Sequence, residues 1–393
     1  MRLLIAAVCG ARSDSEIHAS CPTNRLNMKL QCSRQEMLSA LHLVNTAVAG
    51  HDHRPVLHNI KAIAADDHCS LLATDLEIGI RRDVPGIPID EPGEALLPAS
   101  RTLAIFREAQ DEELVIETSS QTTTVRGGTT EFELGSEDPS SFPEFPAVNG
   151  DGYSEISSEV LKTLIRRTLF AAATESPRYA ITGTLWEIDA NTIRLVATDG
   201  RRLAIAEAAC TCHGNPLNKG THVVPTKAMK LLEQNLPDSS DPVRVTLRPN
   251  ESLFQTGQAT IYSRLVEGRF PAYKDVLPKK TPIKVPLVTG SFHSAIRQAA
   301  VMAEQETKRV LCSFKPKLLI LEAQSPDAGR SHVELPIDYS GKPVEIAFHP
   351  TNLTGLLRVL APSDGLTLSM SDGKSPALFR LGDTYSYLVM PLV

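Results

Sequence analysis

Three prolines divide the chain at a nearly constant interval. Pro98, Pro225 and Pro350 each follow an apolar segment and precede a short helical pattern, and they lie 127 and 125 residues apart. Proline suits the start of a helix, because a first-turn amide has no partner inside the helix. The interval is typical of a domain rather than of a solenoid repeat. The 393-residue sequence therefore predicts three tandem copies of one folding unit.

Each copy is predicted to begin with an amphipathic helix. The segments SRQEMLSALHLVNTAVA from Ser33, SSEVLKTLIRRTLFAAAT from Ser157 and GSFHSAIRQAAVMAEQ from Gly290 place their apolar residues on one helical face. Ser33 and Glu36 have the spacing of a capping box. A second, proline-led helix follows in each copy.

The segments between the helices alternate apolar and polar residues around Asn, Asp and Gly turns, which predicts antiparallel strands. LLATDLEIGI at 71–80 and LVATDGRRLAIA at 195–206 repeat the same turn, so Asp75 and Asp199 are predicted to be equivalent. We predict an α+β fold in which each copy packs two helices on one face of an antiparallel sheet and leaves the other face to water.

Repeated Phe-Pro pairs predict where the copies end. Phe142-Pro143 and Phe270-Pro271 lie 128 residues apart, and Met390-Pro391 is predicted to close the third copy. The predicted domains are 28–150, 151–280 and 281–393. Residues 1–27 are interpreted as a disordered extension or an upstream start, with a signal peptide as the alternative because a basic residue precedes a short apolar run.

Composition limits the remaining possibilities. The net charge of −6 excludes a chain covered in positive charge but allows a local basic patch. Seven scattered cysteines favour a reducing cytoplasm, and no apolar run is long enough to span a membrane. Cys210-Thr211-Cys212-His213, even with His51 and His53, is a weak metal pattern, so no metal site is predicted. No phosphate-binding loop, G-x-S-x-G or H-E-x-x-H motif is present.

Three tandem units, ATDGRRLA, LVEGRFPAYKDVLP and a terminal YLVMPLV together resemble the bacterial DNA polymerase III beta subunits, the sliding clamps, over about residues 28–393. The resemblance implies a ring-shaped homodimer of six similar domains, with helices lining a hole that holds duplex DNA. It also implies a cytoplasmic, non-catalytic processivity subunit without a cofactor. Expected partners are the DNA polymerase III alpha subunit, the clamp loader, other polymerases and repair proteins.

A ring that slides must contact phosphates without reading bases. Basic residues on the predicted helices are candidates for this contact, although they are equally typical of solvated helix faces. The candidates are Arg166, Arg167, Lys227 and Lys230, together with Arg101, Arg107, Lys162, Arg297 and Arg358. The resemblance adds Arg54, Arg178 and Tyr179 on loops.

The resemblance also implies a groove between the second and third units that binds short hydrophobic motifs of partner proteins. An apolar floor with arginine stems would suit a buried leucine or phenylalanine. The matching positions are Arg178, Ile181, Thr198, Gly200, Arg201, Arg202, Leu203, Pro271, Val276, Leu388, Met390, Pro391 and Leu392, with His349 and Asn352 at the rim. The alternative is that Ile181, Leu203 and Val276 belong to the domain core.

Several rim positions differ from the family pattern. Ala180 and Asn352 replace residues that are often aromatic, and Lys374 and Pro376 replace small or apolar ones. These changes leave open a specialised second clamp with altered partner or inhibitor binding. An enzyme with its site at a domain junction, around His349 and Asp372, is the alternative from another functional class.

Overall fold

The computed structural model describes residues 27–50, 52–146, 152–175, 179–189, 191–214, 221–303, 308–326 and 329–392. Three similar units follow one another along the chain, as the repeat predicts. The predicted extension over residues 1–27 lies outside the described residues except for Asn27. The first strand begins at Met28, whose side chain is buried and whose amide donates to Thr118 Oγ1 at 2.9 Å.

Each unit alternates helices with strands in a similar order. The first unit contains β1 (Met28–Ser33), α1 (Arg34–Asn45), β2 (Asn59–Ala65), β3 (His68–Thr74), β4 (Ile78–Pro85), β5 (Ile89–Glu91), β6 (Gly93–Pro98), α2 (Ala99–Glu108), β7 (Glu113–Thr118), β8 (Thr122–Arg126) and β9 (Glu131–Gly135). The second contains β10 (Tyr153–Ser157), α3 (Ser158–Leu169), β11 (Gly183–Asp189), β12 (Thr192–Thr198), β13 (Arg202–Ala209), β14 (Thr211–His213), β15 (His222–Pro225), α4 (Thr226–Asn235), β16 (Pro242–Leu247), β17 (Glu251–Gln255) and β18 (Ala259–Arg264). The third contains β19 (Ile283–Val288), α5 (Thr289–Ala300), β20 (Val310–Lys315), β21 (Leu318–Ser325), β22 (Gly329–Pro336), β23 (Val344–Phe348), α6 (Pro350–Arg358), β24 (Gly365–Met370), β25 (Ala377–Leu381) and β26 (Tyr385–Val389).

Antiparallel sheets connect neighbouring units. A nine-stranded sheet has the order β14-β10-β16-β17-β18-β4-β3-β2-β6, and an eight-stranded sheet has the order β15-β11-β12-β13-β26-β25-β24-β19. They cross the unit boundaries where β18 pairs with β4 and β26 pairs with β13. Two further sheets have the orders β5-β1-β7-β8-β9 and β22-β21-β20-β23. Both internal boundaries are therefore closed by backbone hydrogen bonds.

The Ala-Thr-Asp turn is built the same way in the first and second units. Asp75 Oδ1 accepts from the amides two and three residues later at 3.0 and 2.7 Å, and Asp199 Oδ1 does so at 2.9 and 3.0 Å. The residue after each aspartate has a positive φ, +74° at Leu76 and +88° at Gly200. The predicted equivalence of Asp75 and Asp199 is confirmed.

The helices pack in pairs, α1 with α2, α3 with α4 and α5 with α6, over the buried cores of the sheets. None of the helices in the described residues is long and apolar enough to cross a membrane. The capping box predicted at Ser33 is wrong, because its side chain accepts no hydrogen bond from the helix. The amide of Arg34 instead donates to the carbonyl of Glu112 at 2.8 Å. At α3, Ser157 Oγ does accept from the Val160 amide at 3.4 Å.

The prediction that the second face of each sheet meets only water is wrong in two places. Phe142 packs on that face with Leu72 and Leu96, and Phe270 belongs to a buried cluster that includes Val196. The Phe-Pro segments therefore cover part of the outer surface. Both segments lie in the links between units, after β9 and after β18.

Met390-Pro391 does not correspond to the Phe-Pro pairs of the first two units. The Met390 amide donates to the Arg201 carbonyl at 2.9 Å, as the Arg264 amide donates to the Glu77 carbonyl at 2.8 Å. Met390 thus corresponds to Arg264 rather than to Phe270. The prediction that Met390-Pro391 closes the third copy as the Phe-Pro pairs close the others is therefore wrong, because spacing along the chain does not show which hydrogen bonds are shared.

Candidate partner groove and DNA-facing surface

The turn from Thr198 to Leu203 forms one wall of the candidate groove. Thr198 Oγ1 donates to the Arg202 carbonyl at 2.6 Å and accepts from the Gly200 amide at 3.1 Å. A Cβ placed on Gly200 would meet no atom within 4 Å, so the backbone at this position faces open space. The positive φ of Gly200 favours glycine, because L-residues with a side chain are strained there.

The C-terminal segment lies against this wall. β26 pairs with β13 so that Leu388 lies opposite Leu203. Beyond the strand, the Leu392 amide donates to the Ala347 carbonyl at 2.8 Å, which attaches the last described residues to the third unit. The apolar terminus is therefore tied down at the boundary between two units, as its composition predicts.

The groove has a buried floor and an exposed apolar rim. Leu203 and Leu388 are 3% and 4% exposed and share a cluster with Phe270 and Tyr273. Val276 and Met390 are 54% and 45% exposed. Large apolar side chains exposed this far are candidates for partner contact. Leu203 and Ile181 are therefore buried, as the core alternative expects of them, whereas Val276 is exposed.

A polar network beneath the floor fixes the linker that supplies Pro271 and Val276. The Tyr273 hydroxyl donates to Glu187 Oε2 at 2.7 Å, and Arg194 Nη1 lies 2.9 Å from the same oxygen. Burial raises the pKa of Glu187, but these two hydrogen bonds, together with the positive charges of Lys274 and Arg194, outweigh it and hold that pKa below its usual value. No local pattern around Glu187 indicates this role, because its partner Tyr273 is 86 residues away in the sequence.

Cationic and polar side chains form the other edge of the groove. Arg202 Nε bonds Asp199 Oδ2 at 2.9 Å, and its guanidinium lies 5.6 Å from the centre of the Phe170 ring. His349 Nδ1 accepts from the Thr351 amide at 3.3 Å and so caps α6. Burial, helped by nearby Lys308, Arg201 and Arg202, lowers the pKa of His349. The imidazole is therefore neutral at neutral pH, which suits its role as an acceptor.

The structure brings most of the predicted groove residues together, with some exceptions. Asn352 contributes its carbonyl, which accepts from the Tyr387 hydroxyl at 2.8 Å. Ile181 is buried, and its carbonyl accepts from the Ala173 amide at 3.0 Å, so it supports the wall from inside. Arg178 and the side chain of Tyr179 lie outside the described residues.

Most of the basic residues predicted to contact DNA have partners within the chain. Arg54 makes a two-point contact with Asp52 at 2.9 and 2.8 Å, and this contact holds the pKa of Asp52 well below its usual value. The other pairs are Arg166 with Glu233 at 3.1 Å, Lys227 with Asp75, Lys162 with Asp238 at 2.8 Å and Arg107 with Glu108 at 3.1 Å. The Arg167 guanidinium lies 5.5 Å from the centre of the Tyr385 ring, across the boundary between the second and third units.

Exposed cations without an ion pair among the described residues remain on the helices of every unit. They are Arg101 on α2, Lys230 on α4, Arg297 on α5 and Arg358 on α6. Arg297 and Arg358 both lower the pKa of His293, after the larger effect of burial, so these side chains converge on one place. His293 was not predicted from the sequence. The six described helices hold ten Lys and Arg residues and four Glu, whereas the whole chain has a net charge of −6.

The alternative enzyme site is not assembled. Asp372 Oδ1 accepts from the amides of Lys374 and Ser375 at 2.8 Å each, and no hydrogen bond or ion pair joins it to His349 within the described residues. No group of three or more His, Cys, Asp or Glu side chains suited to a metal occurs in the described part of the chain. Burial raises the pKa of Cys210 to about 12, so its thiol stays protonated.

Three family profiles match the chain in order. They are the DNA polymerase III beta subunit N-terminal domain over residues 28–146, the central domain over 155–272 and the C-terminal domain over 274–393. The chain belongs to the DNA polymerase III beta subunit family. The chain is 29% identical over 368 residues to the beta sliding clamp of Pseudomonas putida. The aligned residues cover 93% of this chain and all of that protein. The Escherichia coli beta sliding clamp is 27% identical with the same coverage.

Solved sliding clamps have the same fold. The Bacillus subtilis DNA polymerase sliding clamp superimposes with a TM-score of 0.88 at 26% identity, over 93% of this chain and 99% of that one. The Pseudomonas aeruginosa clamp bound to griselimycin gives 0.86 at 28% identity, over 93% and 100%. The family and its relatives assign this chain the function of a DNA sliding clamp.

Proposed function

We propose that two copies of the chain close head to tail into a ring around duplex DNA. The observation that carries this proposal is the pattern of sheet edges. At each internal boundary the last strand of one unit pairs with the third main strand of the unit before it, β18 with β4 and β26 with β13. The last strand of the first unit, β9, and the third main strand of the third unit, β22, are left as sheet edges.

An exposed strand edge presents unpaired amides and carbonyls that invite another strand. Pairing β22 of one copy with β9 of a second copy would merge a four-stranded and a five-stranded sheet, matching the nine-stranded sheet at the first internal boundary. Two such contacts close the assembly, as cyclic symmetry requires. The product is a homodimer of six units.

Exposed apolar side chains support the same contact. Phe132 on β9 is 36% exposed, and Val301 at the end of α5 is 72% exposed. Val301 lies close to β22, because Ser331 Oγ donates to the Ala299 carbonyl at 2.8 Å. Burying these side chains between copies removes apolar surface from water.

The helices would line the hole. Arg101, Lys230, Arg297 and Arg358 then contact phosphates through flexible side chains, while the paired cations contribute less. Such contacts position a duplex without reading its sequence, which suits a protein that slides. The proposed role is mechanical and non-catalytic, and it needs no cofactor.

The groove between the second and third units would hold a short hydrophobic motif from a partner. The DNA polymerase III alpha subunit, the clamp loader, other polymerases and repair proteins are the proposed partners. A leucine or phenylalanine would contact the exposed side chains of Val276 and Met390, above the buried floor at Leu203 and Leu388. The charged edge at Arg201 and Arg202 would face polar groups of the motif.

Met390→Ala tests the groove. Covering the exposed half of this side chain contributes about 1 kcal/mol, so the affinity for a fluorescent peptide from the tail of the alpha subunit should fall about fivefold. Val288→Ala is the matched control, since Val288 is 54% exposed elsewhere. Equal affinities for both variants would contradict the assignment. Deleting residues 389–393 is a poorer test, because Val389 is buried and pairs with Arg202.

A further inference from the structure

The three units allow equivalent residues to be identified from strand pairing. The seventh residue of β3 is Thr74, which lies opposite Gly79, and the seventh residue of β12 is Thr198, which lies opposite Leu203. The seventh residue of β21 is Gln324, which lies opposite Arg330. Arg330 on β22 is therefore the equivalent of Gly79 and Leu203, the residues that meet the next unit at the two internal boundaries.

The last strands can be aligned in the same way. In the β17–β18 hairpin Gln255 lies opposite Thr260, and Tyr262 follows two residues later. In the β8–β9 hairpin Arg126 lies opposite Glu131, so Glu133 is the equivalent of Tyr262.

The first internal boundary then supplies the register. There, Tyr262 lies opposite Gly79 and Thr260 lies opposite Arg81. In the same register, Glu133 of one copy lies opposite Arg330 of the other, and Glu131 lies opposite His332.

The four charged side chains also lie on the same face of their strands. On β9, Leu134 is buried in the core, so Glu131 and Glu133 point to the outer face. On β22, the Ser331 hydroxyl donates to the Ala299 carbonyl of α5, so Ser331 faces the helices. Its neighbours Arg330 and His332 therefore point to the outer face as well. Opposite residues of paired strands have Cβ atoms about 4.5–5.5 Å apart, within reach of an ion pair.

Two of these charges face solvent in a single copy. Glu133 and Arg330 are exposed and form no ion pair with any residue that the structure describes. A second copy would bring an opposite charge to each of them. Buried or partly buried charge pairs of this kind set register and exclude wrong partners.

We propose that Arg330 and His332 of one copy form a charge clasp with Glu133 and Glu131 of the second copy, and that tight closure requires a proton on His332. This inference rests on the head-to-tail ring proposed above. It adds the register of the contact and its regulation by pH.

His332 lies among carboxylates. Its Nδ1 is 3.0 Å from Glu322 Oε1, and its Nε2 is 3.3 Å from Glu334 Oε1. These hydrogen bonds, that of Glu322 first, raise the pKa of His332 within a single copy. From the facing strand would come Glu131, which is itself 3.0 Å from Arg126 Nε. Arg126 also bonds Glu117, so the facing strand keeps a net negative charge.

The direction of the pH effect follows from the added carboxylate. Because the Glu131 of a second copy favours protonated His332, the pKa of His332 is higher in the ring than in the free copy. The contribution to closure is complete below the pKa of the free copy and is lost as pH rises through the pKa of the ring. Above that pH, Glu322 and Glu334 face Glu131 without a compensating proton, so they repel it.

The test is the dimer dissociation constant of the full chain, measured by sedimentation between pH 6 and 9. As pH rises over this range, closure should weaken about tenfold for each contact, and about a hundredfold for the two contacts of a ring. His332→Gln should remove most of this pH dependence. A wild-type constant that does not change with pH, or a His332→Gln constant that changes as much as wild type, would overturn the proton requirement.

Charge reversal tests the register with its own folding control. Glu133→Arg and Arg330→Glu should each weaken self-association at least tenfold, because like charges then meet in both contacts. An equal mixture should form heterodimers at close to wild-type affinity, because every contact then joins opposite charges. Folded variants whose mixture associates no better than either alone would overturn the clasp. A wild-type chain that is monomeric at every pH would instead remove the ring on which the clasp rests.

Discussion

Lys162 and Lys230 lie on neighbouring helices of the second unit, but the structure gives them different roles. Lys162 is 8% exposed, and its Nζ donates to the Leu236 carbonyl at 3.1 Å, at the end of α4. Lys230 is exposed and has no ion pair among the described residues. We therefore expect Lys162→Met to weaken folding and Lys230→Met to weaken DNA binding.

The size of each effect follows from these contacts. Lys162→Met leaves the Leu236 carbonyl without its buried donor, which costs about 2 kcal/mol. Its ion pair with Asp238 adds little, because the Asp238 side chain is 73% exposed. Lys230→Met should leave stability within about 0.5 kcal/mol. Because a ring of two copies carries Lys230 twice, losing one phosphate contact from each copy should reduce the slope of log affinity against log salt by about 1.8.

Two measurements separate the variants. Thermal unfolding should show a lowered midpoint for Lys162→Met only, and binding to a linear duplex over a range of salt concentrations should show a shallower slope for Lys230→Met only. The two substitutions are chemically identical, so each variant controls for the other. A shallower salt slope for Lys162→Met, with unchanged stability, would refute the distinction between structural and DNA-facing cations.

Further predictions concern the turn and the network beneath the groove. Gly200→Ala should destabilise the chain by about 1 kcal/mol because of the positive φ at this position. Gly365→Ala is the control, since Gly365 also has open space around it but no positive φ. Equal unfolding midpoints for the two variants would contradict the predicted strain at Gly200. Tyr273→Phe should cost about 1–3 kcal/mol by removing a hydrogen bond to a carboxylate, and it should also weaken binding of the alpha-subunit peptide. The lowered pKa of Glu187 stabilises the fold above the unfolded pKa, and this contribution is lost as pH falls through the folded pKa. Acid unfolding of Tyr273→Phe should therefore differ less from wild type at pH 3 than at pH 7.

The repeat could be predicted from sequence because it depends on local patterns. Proline at a helix start and aspartate in a turn act within a few residues, so Pro350, the first residue of α6, and Asp199 were placed correctly. Leu76 shows the limit of this reasoning. It adopts a left-handed backbone conformation, as does Gly200 at the equivalent position of the second unit. No local rule predicts leucine there.

Long-range pairings could not be predicted. Lys227 reaches Asp75 across 152 residues, and Lys162 reaches Leu236 across 74. In the sequence, each of these lysines looks like part of a basic, solvent-exposed helix face. The folded chain shows that each one already contacts an acceptor elsewhere in the protein. The contact between Glu187 and Tyr273 is another such pairing, across 86 residues.

The central claim is a closed ring around DNA, and retention on circular DNA tests it most directly. The protein, assembled on a circular plasmid with the clamp loader, should remain bound at a salt concentration that abolishes binding to short duplexes. It should leave within the time of a restriction digest that linearises the plasmid. Equal loss from circular and linear plasmids would contradict the ring.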